Sequence, residues 1–175
     1  MLKTCLRLLM LVTLMIALSA CAQIASAPQP RLVANSTWVV LPMDNQTETP
    51  QAGARAAAIA QVLLSANGLP GVLRYPADES DETLFEPAKS DLQHKALDWA
   101  RAQHARYALT GSVIEWRYKV GVDGEPAIGM TLQLIEVESG LVLWSATGSR
   151  TGWSRDSESG VATQLEQKLL SRLLP

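Results

Sequence analysis

Hydrophobic positions in this 175-residue chain fall first into one nearly unbroken run, Leu8–Leu18, and then into shorter segments with two distinct periods. Thr37–Leu41 is β-branched and aromatic, ends at Pro42, and predicts a first strand. Gln51–Ala66 is alanine-rich, with Ile59, Val62, Leu63 and Ala66 at helical spacing and Gly68 as a stop signal. Val72–Tyr75 predicts a short second strand, and the polar stretch 76–90 a loop. From Ser90 or Asp91 to about His104, Leu92, Ala96, Trp99 and Ala100 line one face of a second helix. Three β-segments follow, Arg106–Val120, Ile128–Val137 and Leu141–Arg150. Asp123-Gly124 supplies positive-φ turn residues between the first two, and Glu138-Ser139-Gly140 makes a tight turn before the third. A last helix over Asp156–Leu173 carries Val161, Leu165 and Leu169 at every fourth position. The order β-α-β-α-β-β-β-α predicts an α+β domain, a mostly antiparallel sheet flanked by three helices. No internal repeat is present.

The first run is an address. Lys3 and Arg7 precede it, and it is shorter than the roughly 20 apolar residues needed to cross a bilayer core of about 30 Å. It reads as a signal-peptide core over residues 1–20. It ends in Leu18-Ser19-Ala20-Cys21, which resembles a bacterial lipobox. Small residues at 19 and 20 fit a narrow protease cleft, and the Cys21 thiolate is the nucleophile that takes a diacylglyceryl group. Several acyl chains hold a protein on a membrane almost permanently. Residue two of the mature chain is Ala22 and not Asp, which by analogy with lipoprotein sorting places the anchor in the outer membrane, facing the periplasm. Residues 21–35, small, polar and proline-bearing, read as the lipidated cysteine and a flexible tether. A single globular domain is expected over 36–174.

Removal of residues 1–20 leaves one ordinary domain of 155 residues, with 13 Lys and Arg against 17 Asp and Glu. The resulting charge of −4 argues against a nucleic-acid partner and suits a cationic one. Acylation of Cys21 leaves no thiol for a disulfide, so the domain stands on its core or on contacts between copies.

The chain carries no Gly-x-Ser-x-Gly nucleophile, no phosphate-cradling loop and no His-Glu-x-x-His pair, and it is read as a non-enzyme without metal or cofactor. His94 and His104 lie about 280° apart around one helix, and they read as ordinary polar-face residues. The acidic stretch Asp78-Glu79-Ser80-Asp81-Glu82 lacks the glycine and closing glutamate of a calcium loop and reads as solvated. Asp123 and Glu125, at an exposed hairpin tip, lack the desolvation that separates two carboxyl pKa values for acid–base work. A charged ring or gate built from copies of the same tip suits them better.

Five Trp against one Phe is an unusual ratio, since Trp prefers one wet and one apolar edge. Trp38, Trp99 and Trp144 fall on predicted core faces. Trp116 and Tyr118 share one side of the long strand, with core and subunit contact both open. Trp153, beside Gly152 and Arg155, is either a rim residue of the core or a contact with the bilayer interface.

Three stretches carry a likeness. They are Trp38-Val39-Val40-Leu41-Pro42-Met43-Asp44-Asn45-Gln46-Thr47 with Pro50-Gln51-Ala52-Gly53; Tyr107-Ala108-Leu109-Thr110-Gly111-Ser112-Val113-Ile114-Glu115-Trp116-Arg117-Tyr118-Lys119 with Gly121 and Asp123-Gly124-Glu125-Pro126; and Leu143-Trp144-Ser145 with Gly152-Trp153-Ser154-Arg155. Together they resemble the PelC family, outer-membrane lipoproteins of the Pel exopolysaccharide export system. The resemblance implies a TolB-N-terminal-like domain assembled as a dodecameric ring beneath the export porin PelB. There an acidic funnel would guide a cationic, partly deacetylated polysaccharide. Asp123 falls where that family carries a lumen-lining aspartate, and Trp153 where it carries a membrane-facing tryptophan. The alternative is a TolB-N-like regulatory lipoprotein, a peptidoglycan-synthase activator or a curli-type secretion component, which shares the tether and the first-strand pattern.

Overall fold

The computed structural model describes residues 23–76, 89–120 and 124–174. The signal peptide, Cys21, the acidic stretch 78–82 and Asp123 lie outside the described residues. Nine elements follow one another among the described residues: β1 (Gln23–Ser26), β2 (Trp38–Asn45), α1 (Ala52–Ala66), β3 (Leu73–Arg74), α2 (Lys89–Ala102), β4 (Tyr107–Tyr118), β5 (Pro126–Glu136), β6 (Val142–Thr151) and α3 (Glu158–Leu170). They build one six-stranded sheet in the order β1-β6-β5-β4-β2-β3. β2 pairs in parallel with β3 and β4, while β4, β5, β6 and β1 pair antiparallel. The split follows the connections. Parallel neighbours need a long crossover, which α1 and α2 provide, whereas β4, β5 and β6 follow one another as antiparallel neighbours with short connections.

Period-two alternation sends the two faces of the sheet to different helices. Val40, Leu109, Trp116, Ile128, Met130, Leu132, Leu134 and Trp144 pack with Ala56, Ala60 and Leu64 of α1 and with Val161, Leu165 and Leu169 of α3. On the other face Val39, Leu41 and Ala108 pack with Ala96 and Ala100 of α2. Small residues let the layers approach closely. A Cβ on Gly53 would stand 2.1 Å from the Met43 carbonyl oxygen, and one on Gly111 would stand 2.1 Å from that of Thr131.

The α+β class, the three helices and the order of the elements from β2 onward agree with the sequence reading; several boundaries do not. Pro42 does not end β2. The strand runs on to Asn45 through a register shift between Val40 and Met43, where a missing N–H is tolerated. The Pro42 carbonyl accepts from Thr110 Oγ1 at 2.8 Å. α2 stops at Ala102, with His104 beyond it in the left-handed region at φ 52°. α3 starts at Glu158, because Ser157 is its cap and accepts from the Gly160 N–H at 3.1 Å.

The larger correction concerns the flexible tether expected over 21–35. Gln23–Ser26 is an ordered edge strand against β6. Gly148 has no side chain, and Ile24 fills the space, its Cγ1 standing 3.0 Å from where a Cβ would sit. The strap continues with Ala27 N donating to Ser145 O at 2.8 Å, Gln29 Nε2 to Leu173 O at 2.9 Å and Val33 N to Tyr107 Oη at 3.1 Å. The ordered domain therefore begins by Gln23, well before residue 36.

Candidate membrane-facing end

One end of the sheet gathers Trp116, Tyr118, Glu125 and Trp153. There β4 leaves for β5, β6 leaves for α3, and β1 begins. The base of the β4–β5 hairpin is closed by Lys119 N donating to Glu125 O at 2.7 Å, and Gly124 adopts φ 45°, the turn conformation its sequence predicts.

The β6–α3 connection is tightly built. Gly152 N donates to Pro126 O at 2.8 Å, and a Cβ on Gly152 would meet Val161 Cγ2 at 2.5 Å and Pro126 Cγ at 3.0 Å. Only glycine lets the chain pass between them. Asp156 then holds the next residues reciprocally: its Oδ2 accepts from Trp153 N at 2.8 Å, and its own N–H donates to Trp153 O at 2.8 Å. Tyr118 Oη donates to Asp156 O at 3.4 Å, and Lys119 Nζ to Thr151 Oγ1 at 2.8 Å. The backbone of Trp153 is thus fixed while its side chain remains 66% exposed.

The other aromatics divide cleanly. Trp38, Trp116 and Trp144 are buried, and Trp99 is half-buried edge-on to Tyr75, with ring centroids 5.5 Å apart. Trp116, left open between core and subunit contact, is core, its Nε1 donating to Glu158 Oε2 at 3.2 Å. Tyr118, two residues on, is exposed because the strand has run past the end of the core.

His94 and His104 are both exposed, and among the described residues no group of three or more His, Cys, Asp or Glu is placed to hold a metal ion. An open groove of about 760 Å³ lies beside the hairpin, lined by Thr47, Glu48, Ile114, Glu115, Arg117 and Ser149 among others. Glu115 and Arg117, two residues apart on β4, pair at 2.9 Å on its wall, and Thr47 Oγ1 donates to Asn45 Oδ1 at 2.8 Å. No helix among the described residues is long and apolar enough to cross a membrane.

Sequence reasoning overlooked Asp156 and the docking of β1. The first had a readable signal, an Asp three residues after Trp153 and just ahead of Ser157. The second had almost none, since Gln23-Ile24-Ala25-Ser26 holds a single β-branched residue.

Residues 21–149 match the family model of the peptidoglycan-synthase activator LpoB. Among solved structures, the PelC dodecamer from Paraburkholderia phytofirmans is 45% identical, with a TM-score of 0.74, covering 88% of this chain and 98% of its own. A single-substitution variant of that dodecamer is 46% identical, with a TM-score of 0.75, covering 88% of this chain and 99% of its own. A lipoprotein from Neisseria meningitidis shares the fold at 17% identity and a TM-score of 0.56, covering 78% of this chain and 96% of its own. A search of curated proteins gave no match. With close to half of its residues shared with PelC over nearly the whole domain, and with the LpoB model matched across most of its length, this chain belongs to the PelC family of LpoB-like proteins.

Proposed function

We propose that this protein is an outer-membrane lipoprotein of Pel exopolysaccharide export, acylated on Cys21 and assembled as a closed ring on the periplasmic face. The observation that carries the reading is its 45% identity, across 88% of the chain, with a PelC solved as a dodecamer. In this reading Trp153 rests in the bilayer interface and Asp123, at the β4–β5 hairpin tip, lines the lumen. The mechanism is electrostatic and makes no bond. One carboxylate per subunit, repeated around a ring, superposes into a field that one copy does not produce. Fields from exposed charges decay over about 8 Å at physiological salt, so the repeats act together only when the ring brings them close. A cationic polysaccharide is drawn along the axis toward the porin PelB.

Lipidated protein should appear by mass photometry as one large closed species, and a strictly monomeric result across concentrations would overturn the ring. Asp123→Asn should lower secreted Pel while leaving that species intact. Normal secretion by the variant would remove the role given to Asp123.

The match of residues 21–149 to the LpoB model favours a second reading, activation of a peptidoglycan synthase. Stimulation of a purified synthase by this protein would support it, and the export reading expects none.

A further inference from the structure

The open groove between the β2–α1 loop and β4 lies on the face of the sheet that α1 and α3 do not cover. Gly129 and Ser149 belong to its lining, and along their strands they alternate with the core residues Ile128, Met130 and Ala146. They therefore face away from the main core, and Ser149 is exposed.

Both walls are structurally defined. On β4 the register with β5 shifts between Val113 and Glu115, which leaves Ile114 out of the ladder as a bulge residue. Gly129 has no side chain, and Ile114 lies over it, its Cγ1 standing 3.1 Å from where a Cβ would sit while the residue stays 47% exposed. The opposite wall is the loop from Gln46 to Pro50, which its own hydrogen bonds hold in shape. Asn45 Nδ2 donates to Thr49 O at 2.8 Å, Thr47 N to Asn45 Oδ1 at 3.1 Å and Thr49 N to Thr47 Oγ1 at 3.2 Å. Thr49 Oγ1 donates across to Trp116 O and ties the loop to β4. Walls already ordered lower the entropic cost of binding a ligand between them.

Charge and surface chemistry limit what such a groove takes. Glu115 is engaged with Arg117, whereas Glu48 is exposed and has no ion-pair partner among the described residues. Two acids against one base leave a net negative charge in the lining. Thr47 and Ser149 present hydroxyls there, and the row Ser112, Thr131 and Thr147 continues them one step along the same face. Ile114 adds a small apolar surface. The matching ligand is rich in hydroxyls, carries a cationic group and has one C–H face, which is the chemistry of an amino sugar.

We propose that this groove is a saccharide subsite for one amino-sugar unit, with Glu48 taking its ammonium and Ile114 its apolar ring face. The inference deepens the export reading above by giving each subunit a contact that does not depend on Asp123.

The test uses the full lipidated protein in detergent, with fluorescence anisotropy of a labelled glucosamine oligosaccharide as the readout. Its fully N-acetylated counterpart and a labelled oligolysine serve as comparisons, the first lacking the ammonium and the second the hydroxyls. The glucosamine chain should bind more tightly than either. Glu48→Gln should weaken its binding about threefold, the scale of one exposed charge pair. Ser149→Trp fills the groove from an exposed position and should abolish measurable binding. Glu138→Gln, which removes an exposed acid in the β5–β6 turn, should change nothing. Circular dichroism and mass photometry should be the same for parent and variants. Tighter binding of oligolysine, equal binding of the acetylated chain, or parent-like binding by Glu48→Gln and Ser149→Trp alike overturns the subsite. An intact ring that binds no saccharide overturns the subsite alone, whereas a monomeric parent protein overturns the ring on which the export reading stands.

Discussion

Glu166 is the least comfortable residue in the fold, and its replacement gives a quantitative test of the core. It lies on the inner face of α3 among Val161, Ala162, Leu165, Leu169 and Leu170, is fully buried, and neither carboxyl oxygen has a hydrogen-bond partner. Desolvation raises its pKa well above 4.5. The native state therefore keeps a proton that the unfolded chain releases near its ordinary pKa. Below that value both states are protonated and the native state suffers no ionic penalty. Above it stability falls with rising pH, by up to about 1.4 kcal/mol per pH unit, until the native pKa is passed. Glu166→Gln keeps the shape and removes the titration. Glu166→Met also removes the unpaired polar group, which costs about 1–3 kcal/mol when buried. In urea unfolding of the unacylated mature domain, wild type should lose stability between pH 5 and pH 8 relative to Glu166→Gln. Glu166→Met should be the most stable of the three at pH 8. Each kcal/mol gained should raise Tm by about 2–4 °C in a domain of this size. Parallel pH profiles for wild type and Glu166→Gln, or a Glu166→Met variant weaker than wild type at pH 8, would refute the assignment.

Two further substitutions probe close packing and capping. Gly111→Ala places a Cβ 2.1 Å from the Thr131 carbonyl oxygen, a backbone atom that cannot swing aside, so a loss of about 3 kcal/mol is expected; an unchanged urea midpoint would show that β4 and β5 separate more easily than their register suggests. Ser157→Ala deletes the side-chain acceptor for Gly160 N at 3.1 Å and should cost about 1 kcal/mol, read as a lower midpoint with an unchanged denaturant slope.

Legibility followed the strength of the local signal. β4, β5 and β6 were readable because alternation over ten or more residues leaves one register in which the apolar set faces α1 and α3. Glycine and the Asp123-Gly124 pair marked the reversals between them. β2 was cut short because Pro42 reads as a stop, and only a shift in pairing with β4 lets the strand pass it. β1 was unreadable for the opposite reason. Its four residues form a strand because β6 offers an edge and Gly148 a space for Ile24, neither of which is local information. The fixation of the Trp153 backbone by Gly152 and Asp156 was not legible, because it depends on contacts with Pro126 and Val161 from other elements.

The sheet is covered unevenly, and the uneven cover bears on how such a subunit reaches a ring. α1 and α3 cover one face, while α2 covers only the β2 and β4 side of the other. Across β4, β5 and β6 on that second face run rows of short polar side chains: Ser112 opposite Thr131 opposite Thr147, and Gln133 opposite Ser145. The Ser112 and Thr131 hydroxyls already bond each other at 2.7 Å. Burying a row of this composition releases little apolar area. The apolar core is meanwhile complete within one chain. A closed ring needs two different patches on every copy; in the proposed ring, with the Trp153 end turned to lipid, those patches would come from the flanks of the sheet.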